Sequence, residues 1–251
     1  MEKQSFFGHE IYTVHSSSVD FSKRLSAVAL LELFQESACQ HSDSLGIGRN
    51  YLNDKGLFWA LSRITIELGK MPERGDEVVV KTWPKAMDSV FSYRDFLLLN
   101  TKDEEVPLAK ATSVYVLLDT AARRPQNIEP YTASVPLVTS ENAIEARPDK
   151  IDALPCAWNY SKGVVRYGDI DMNGQVNVIK YLEWILDSYN WEHHQSNILE
   201  KVELNYIADA ICGEAYVVNM ASKGRGVYLN NVVREEDQKE LVRARIHWAT
   251  R

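Results

Sequence analysis

The stretch IDMNGQVNVIKYLEWILDS, Ile170 to Ser188, has a counterpart in VDFSKRLSAVALLELFQES, Val19 to Ser37. Laid together without gaps, the two share an opening aspartate (Asp20, Asp171), a central Leu-Glu pair (Leu31-Glu32, Leu182-Glu183) and a closing serine (Ser37, Ser188). The apolar positions between them match in kind. The copies differ just before the helical pattern, where the second has Asn173 and Gln175 and the first has Ser22 and Arg24. The match continues downstream. Arg63 to Glu67 followed by Gly75 to Val80 pairs with Lys201 to Asn205 followed by Gly213 to Val218, and Leu108 to Ala111 pairs with Leu241 to Ala244. One long repeat means two similar domains, because a solenoid needs several short ones.

The 251 residues suffice for two domains of about 100–150 residues each. Boundaries are expected at 1–135 for the first domain, 136–157 for a linker containing Pro136, Pro148 and Pro155, and 158–251 for the second. Apolar content of 45% and charged content of 25% are ordinary for a globular protein. No stretch is long and apolar enough for a transmembrane helix, and the opening MEKQSFFGHEIY has no signal-peptide core. Cys39, Cys156 and Cys212 are too widely spaced for a zinc or CxxC pattern, so reduced thiols in a cytoplasmic protein are expected, with no metal and no cofactor. A net charge of −7 argues against nucleic-acid or membrane partners.

Val28, Leu31, Phe34 and Ala38 form an apolar stripe at helical spacing, as do Val178, Tyr181, Leu182, Ile185 and Tyr189. Strand-like runs follow each helix: Phe58 to Leu68, Glu77 to Trp83, Val90 to Leu99 and Leu108 to Leu118, then Lys201 to Tyr206, Glu214 to Ala221, Val227 to Arg234 and Glu240 to Trp248. A long helix against an antiparallel meander is an α+β layout. Ahead of the second helix, Gly174 permits close backbone approach and Asn177 suits an N-cap. The free N–H groups of a helix start suit a developing oxyanion. The same residues also suit a plain polar turn that starts a helix.

Tyr167 to Asn177 followed by Lys180 to Trp184 resembles the second-domain motif of acyl-acyl-carrier-protein (acyl-ACP) thioesterases. Trp59 to Arg63, Lys70-Met71-Pro72, Gly75-Asp76, Thr82-Trp83, Ala111 to Val116 and Thr120 to Pro125 resemble that family's first domain. The resemblance implies two tandem hotdog domains and hydrolysis of a fatty acyl thioester carried by ACP. It places the family's Asp-x-Asn-x-His motif on Asp171, Asn173 and Gln175, with glutamine in place of histidine. It places the acidic residue of the following strand on Asp209, and Ala210 stands where plant members have cysteine. Cys212 is then expected to be a small core residue.

In that scheme Asp209 is the base or water-orienting carboxylate, Asn173 positions water or substrate, and Asp171 holds Asn173 and nearby N–H groups. Gln175 can donate and accept but cannot titrate. In the first copy Met71 falls at the Asp209 position. That half is implied to line the acyl pocket, with Val28, Leu31, Phe34 and Trp59 as candidates, although a core role suits each of them. An acidic carrier would dock on basic residues, among which Lys23-Arg24, Arg123-Arg124, Lys162 with Arg166, and Lys180 are visible. His193-His194 is expected at the end of the second helix, serving its C-terminal dipole. Hydrolysis of acyl-CoA, or acyl-thioester binding without turnover, are the alternatives. A monomer is sufficient, since the chain carries both hotdog units, and a homodimer is open.

Overall fold

A computed structural model of the chain describes residues 6–154 and 158–251. The elements run β1 (Gly8–Thr13), α1 (Ala27–Ser44), α2 (Arg49–Asn53), β2 (Leu57–Leu68), β3 (Glu77–Met87), β4 (Phe91–Asn100), β5 (Ala109–Asp119) and α3 (Glu129–Thr132). They continue with β6 (Trp158–Val164), a 3₁₀ turn (Tyr167–Asp169), α4 (Val178–Asp187), α5 (Trp191–Ser196), β7 (Asn197–Tyr206), β8 (Ala215–Gly224), β9 (Val227–Arg234) and β10 (Glu240–Thr250). The chain divides into two compact units at residue 148, with Arg63–Thr65 grouped with the second. Each is a hotdog domain of α+β class. In the first, β1 pairs β3, β3 pairs β4 and β4 pairs β5, all antiparallel, and α1 packs against β1 and β3. In the second, β6 pairs β8, β8 pairs β9, β9 pairs β10 and β10 pairs β7, again antiparallel, and α4 packs against β9.

The sequence repeat is a repeat of hydrogen bonds. Asp20 N–H donates to Arg24 O at 2.9 Å, as Asp171 N–H does to Gln175 O at 2.7 Å. Leu25 N–H donates to Pro72 O at 2.8 Å, as Val176 N–H does to Ala210 O at 3.0 Å. Val14 and Asp76 exchange the same backbone bond as Val165 and Glu214, both at 2.9 Å. The carboxylates Asp76 and Glu214 then each accept a backbone N–H, from Glu73 at 2.9 Å and Ile211 at 3.0 Å. Both turns need one residue in the left-handed region. The second copy supplies Gly174 at φ +78° and the first holds Lys23 there at φ +65°, a conformation that costs a side-chain-bearing residue about 1 kcal/mol.

The cores follow the apolar stripes. Leu30, Leu31 and Phe34 of α1 are fully buried, and Phe34 stacks on Phe96 with ring centroids 5.0 Å apart. In α4, Tyr181, Leu182, Trp184 and Ile185 are buried. This second helix stops at Asp187, shorter than its counterpart. Asn190 starts a separate helix by capping His193 N–H at 2.8 Å. His193 and His194 therefore sit on α5 and not at the end of α4. His194 Nε2 still meets the α4 carbonyl of Leu186 at 3.0 Å, while His193 lies edge-on to Trp248 at 4.8 Å and Tyr228 at 5.5 Å.

Several strands outrun their sequence patterns. β3 continues past Trp83 to Met87, with its register shift between Pro84 and Ala86, where proline has no N–H to give the ladder. β7 starts at Asn197, ahead of its alternating part. The segment expected as a linker is in part strapped to the first unit: Val138 and Ala143 are buried, Ala143 N–H donates to Asp95 Oδ2 at 2.7 Å, and Lys85 Nζ donates to Ile144 O at 2.8 Å. Lys85 and Asp95 pair at 2.9 Å with side chains 8% and 0% exposed, and Thr112 donates to Asp95 at 2.6 Å. Hydrogen bonds to its backbone hold the strap, together with Val138 and Ala143 packed against Trp83. Pro155 and Cys156 lie outside the described residues.

Two stability outcomes follow. Asp95→Ala strands the Lys85 cation and frees the strap, so urea unfolding should show a loss of about 3–5 kcal/mol. Burial, with His194 adding to it, holds the His193 imidazole below its usual value. The unfolded chain therefore takes up that proton first, and stability should fall as pH drops through about 6.5. Thermal melts of His193→Phe should lose less between about pH 7.5 and about pH 5.5 than those of the parent.

Candidate active site

Asp171 organises the turn ahead of α4. Its Oδ1 accepts Asn173 N–H at 2.8 Å and Gln175 N–H at 3.2 Å, and its Oδ2 accepts Asn173 Nδ2 at 3.1 Å. A carboxylate satisfied by three N–H donors fixes the Asn173 amide, leaving the Asn173 carbonyl oxygen and the second amide hydrogen for other partners. Gly174 closes the turn by donating to Asp171 O at 3.1 Å. Asn177 then starts α4 by accepting Ile179 N–H at 3.1 Å. Asn173 is exposed and Gln175 half-buried.

Asp209 enters from the loop after β7. The Val176–Ala210 backbone bond draws this loop against the turn, so that Gln175 and Asp209 are chain neighbours of the two bonded residues. Asp209 is exposed. The loop is pinned from the other side by Arg234, whose Nη2 donates to Asp209 O at 2.8 Å and whose guanidinium pairs with Glu214 at 3.1 Å. Asp171, Asn173 and Gln175 thus share one turn, and Asp209 is brought to it from a remote strand end. The site offers an amide, a carboxylate and backbone donors at a helix start. These can polarise a carbonyl and hold a water, and Gln175 adds an amide that does not titrate.

Two participants escape a reading of the motif. Arg234 supports the Asp209 loop from the end of β9, a role with no local sequence signal. Tyr181 stands in the α4 apolar stripe and looks like core, yet its hydroxyl is enclosed without a hydrogen bond of ordinary geometry and feels the charge of Asp209. Cys212 is exposed in the loop after Asp209 and is not the core residue expected. It sits next to Gly213, at φ +91°, in the turn that returns the chain to β8 and faces solvent. Cys39 is also a free, exposed cysteine.

In the first unit, Leu31 and Phe34 are fully buried in the core, whereas Val28 and Trp59 are half-buried. Trp59 Nε1 donates to Ile47 O at 3.1 Å, and its ring joins the cluster of Leu45, Ile47 and Val135. Among the basic candidates, Lys180 donates to Glu183 at 2.8 Å, Lys162 pairs with Glu235, and Arg24 lies 3.9 Å from Glu73. Arg123 covers the Phe58 ring at 4.9 Å. Their charge is thus partly spent within the chain. Among the described residues, no group of His, Cys, Asp and Glu is arranged to hold a metal ion, and no helix is long and apolar enough to cross a membrane.

Residues 6–134 match the acyl-ACP thioesterase N-terminal domain model and residues 157–250 match the acyl-ACP thioesterase C-terminal domain model. A dodecanoyl-[acyl-carrier-protein] hydrolase of Cinnamomum camphora, named chloroplastic, is 26% identical over 253 residues, covering 94% of this chain and 66% of its own length. A palmitoyl-acyl carrier protein thioesterase of Gossypium hirsutum, also named chloroplastic, is 28% identical over 263 residues, at 94% and 62%. The chain thus spans slightly less than two thirds of the length of these relatives. In fold, it superposes on an acyl-ACP thioesterase from Bacteroides thetaiotaomicron with a TM-score of 0.89 at 24% identity, covering 99% of this chain and 100% of that one. It superposes on a 12:0-ACP thioesterase from Umbellularia californica with a TM-score of 0.84 at 22% identity, covering 98% of each. With both domain models matched in order across nearly the whole sequence, this chain belongs to the acyl-ACP thioesterase family.

Proposed function

We propose that the protein hydrolyses fatty acyl-ACP thioesters to free fatty acid and ACP, as a step of cytoplasmic fatty acid synthesis. The observation that carries this reading is the turn–loop junction: a carboxylate-fixed amide, Asn173, and a second carboxylate, Asp209, on segments joined by the Val176–Ala210 bond. We take that junction to be where the thioester is attacked.

Asp209 orients a water and takes its proton as the oxygen adds to the thioester carbonyl. The developing oxyanion is met by donors of the turn and the α4 start, which Asp171 holds before substrate arrives. Collapse expels the carrier thiolate, and the proton held by Asp209 returns to it. Asn173 positions the water or the carbonyl. Gln175 stands in for histidine as a hydrogen-bonding and not a proton-transferring group. Of the apolar candidates in the first unit, the half-buried Val28 and Trp59 can meet the acyl chain, whereas the fully buried Leu31 and Phe34 serve the core. Each CH₂ buried there contributes about 0.8 kcal/mol.

Free-acid release from acyl-ACP donors of graded chain length, run beside matched acyl-CoA donors, tests the reading. Asp209→Ala should lower turnover by about 10²–10⁴-fold. A strong preference for CoA would replace ACP as the substrate, and no release from any donor would point to a binding protein. Gln175→His should change kcat by less than about tenfold, the scale of one hydrogen bond. A rise of about 10²–10⁴-fold would instead assign proton transfer to that position.

A further inference from the structure

Tyr181 is 2% exposed on the first turns of α4, and its ring meets Trp184 and Tyr206 edge-on at 5.3 Å and 6.1 Å. Tyr206 itself is tied to the start of α4 through its hydroxyl, which donates to Val178 O at 3.1 Å. The Tyr181 hydroxyl, by contrast, is enclosed and makes no hydrogen bond of ordinary geometry among the described residues. Enclosing a hydroxyl this way costs about 1–3 kcal/mol, and a phenylalanine would fill the same space. Among its neighbours, Asp209 and the Ala210 backbone act on it most, Glu214 and Arg234 less. Burial, then the negative charge of Asp209, push the phenol above the ordinary tyrosine range, while the Ala210 backbone N–H acts in the opposite sense. The hydroxyl is therefore neutral and carries a proton to donate.

The first copy supplies an internal control. Aligned residue by residue, the Tyr181 position falls on Leu30, fully buried in α1, and the Asp209 position falls on Met71. The backbone scaffold is the same in both copies, down to the paired Leu25–Pro72 and Val176–Ala210 bonds. The hydroxyl and the carboxylate are thus present together in one copy and absent together in the other. A ring needed only for packing would not have to track the carboxylate.

Resting on the reading of Asp209 above, we infer that Tyr181 is a positioning residue for hydrolysis, whose hydroxyl donates to the Asp209 carboxylate and fixes the orientation it uses on water. The bond forms when Asp209 turns toward its water in the substrate complex, and it favours the ionised carboxylate.

Tyr181→Phe keeps the ring and removes the donor. With the acyl-ACP donor that the parent turns over fastest, kcat should fall about 10–100-fold, the scale of a hydrogen bond to a charged group, with KM unchanged. The acid limb of the kcat–pH profile should move to higher pH, because an anion that loses a donor is protonated more easily. Rates are taken per folded molecule from parallel melts. Asp209→Asn combined with Tyr181→Phe should be no slower than Asp209→Asn alone, since Tyr181 acts through Asp209. Unchanged kcat and acid limb in Tyr181→Phe, or additive losses in the double variant, would overturn the inference while leaving the role of Asp209 intact. Full turnover by Asp209→Asn would overturn both.

Discussion

The backbone hydrogen bond from Val176 N–H to Ala210 O, 3.0 Å long, is the constraint on which the candidate site depends. It ties the turn before α4 to the loop after β7, segments that have no other reason in local sequence to meet. Because each hotdog unit needs this tie to seat its helix start against its sheet, the first copy makes it too, between Leu25 and Pro72 at 2.8 Å. The junction is thus a structural property of the fold before it is a site. Chemistry enters through the side chains carried at fixed places on it: Asn173 where the first copy has Ser22, Gln175 for Arg24, Asp209 for Met71, Tyr181 for Leu30.

The electrostatics of the second turn follow from one buried-edge carboxylate. Asp171 takes two backbone N–H groups and one amide hydrogen, so its charge is held by fixed dipoles and not by a cation. Asp20 does the same work in the first copy with Ser22 alone, through Ser22 N–H at 2.8 Å and Ser22 Oγ at 2.6 Å. A serine hydroxyl tied to the aspartate has little left to offer a ligand, whereas the Asn173 amide keeps an oxygen and a hydrogen. Across the junction, Arg234 donates to the Asp209 carbonyl and pairs with Glu214 and Asp237.

Outside the junction the two units diverge in how they close. The first has an 18-residue helix and a strap over its sheet, secured by the buried Lys85–Asp95 pair and by Thr112. The second ends its helix after 10 residues and uses α5 and an aromatic cluster of Tyr189, His193, Tyr228 and Trp248 instead. A buried ion pair demands every partner in place. Burial in this cluster holds the His193 imidazole below its usual value. The first unit is therefore sensitive to losing a partner of its buried pair, and the second to protonation of His193.

Much of this was legible in the residues. The duplication, the apolar stripes of both helices, the Gly174 turn and the Asn177 cap are local patterns set by steric and hydrogen-bond rules acting within a few residues. The pairing of Gly75-Asp76 with Gly213-Glu214 in the repeat also located Asp209 opposite Met71, because register carries over when a fold is copied. The strap over 138–144, the break between α4 and α5, the exposure of Cys212 and the support from Arg234 were not legible. Each depends on partners dozens of residues away, or on where solvent falls once the sheet is built. Tyr181 shows the division in one residue. Its sequence neighbours mark it as core, and its ring is core. Only the tertiary structure encloses its hydroxyl and brings it under the charge of a carboxylate 28 positions further along, because burial and proximity are properties of the packed chain and not of the string.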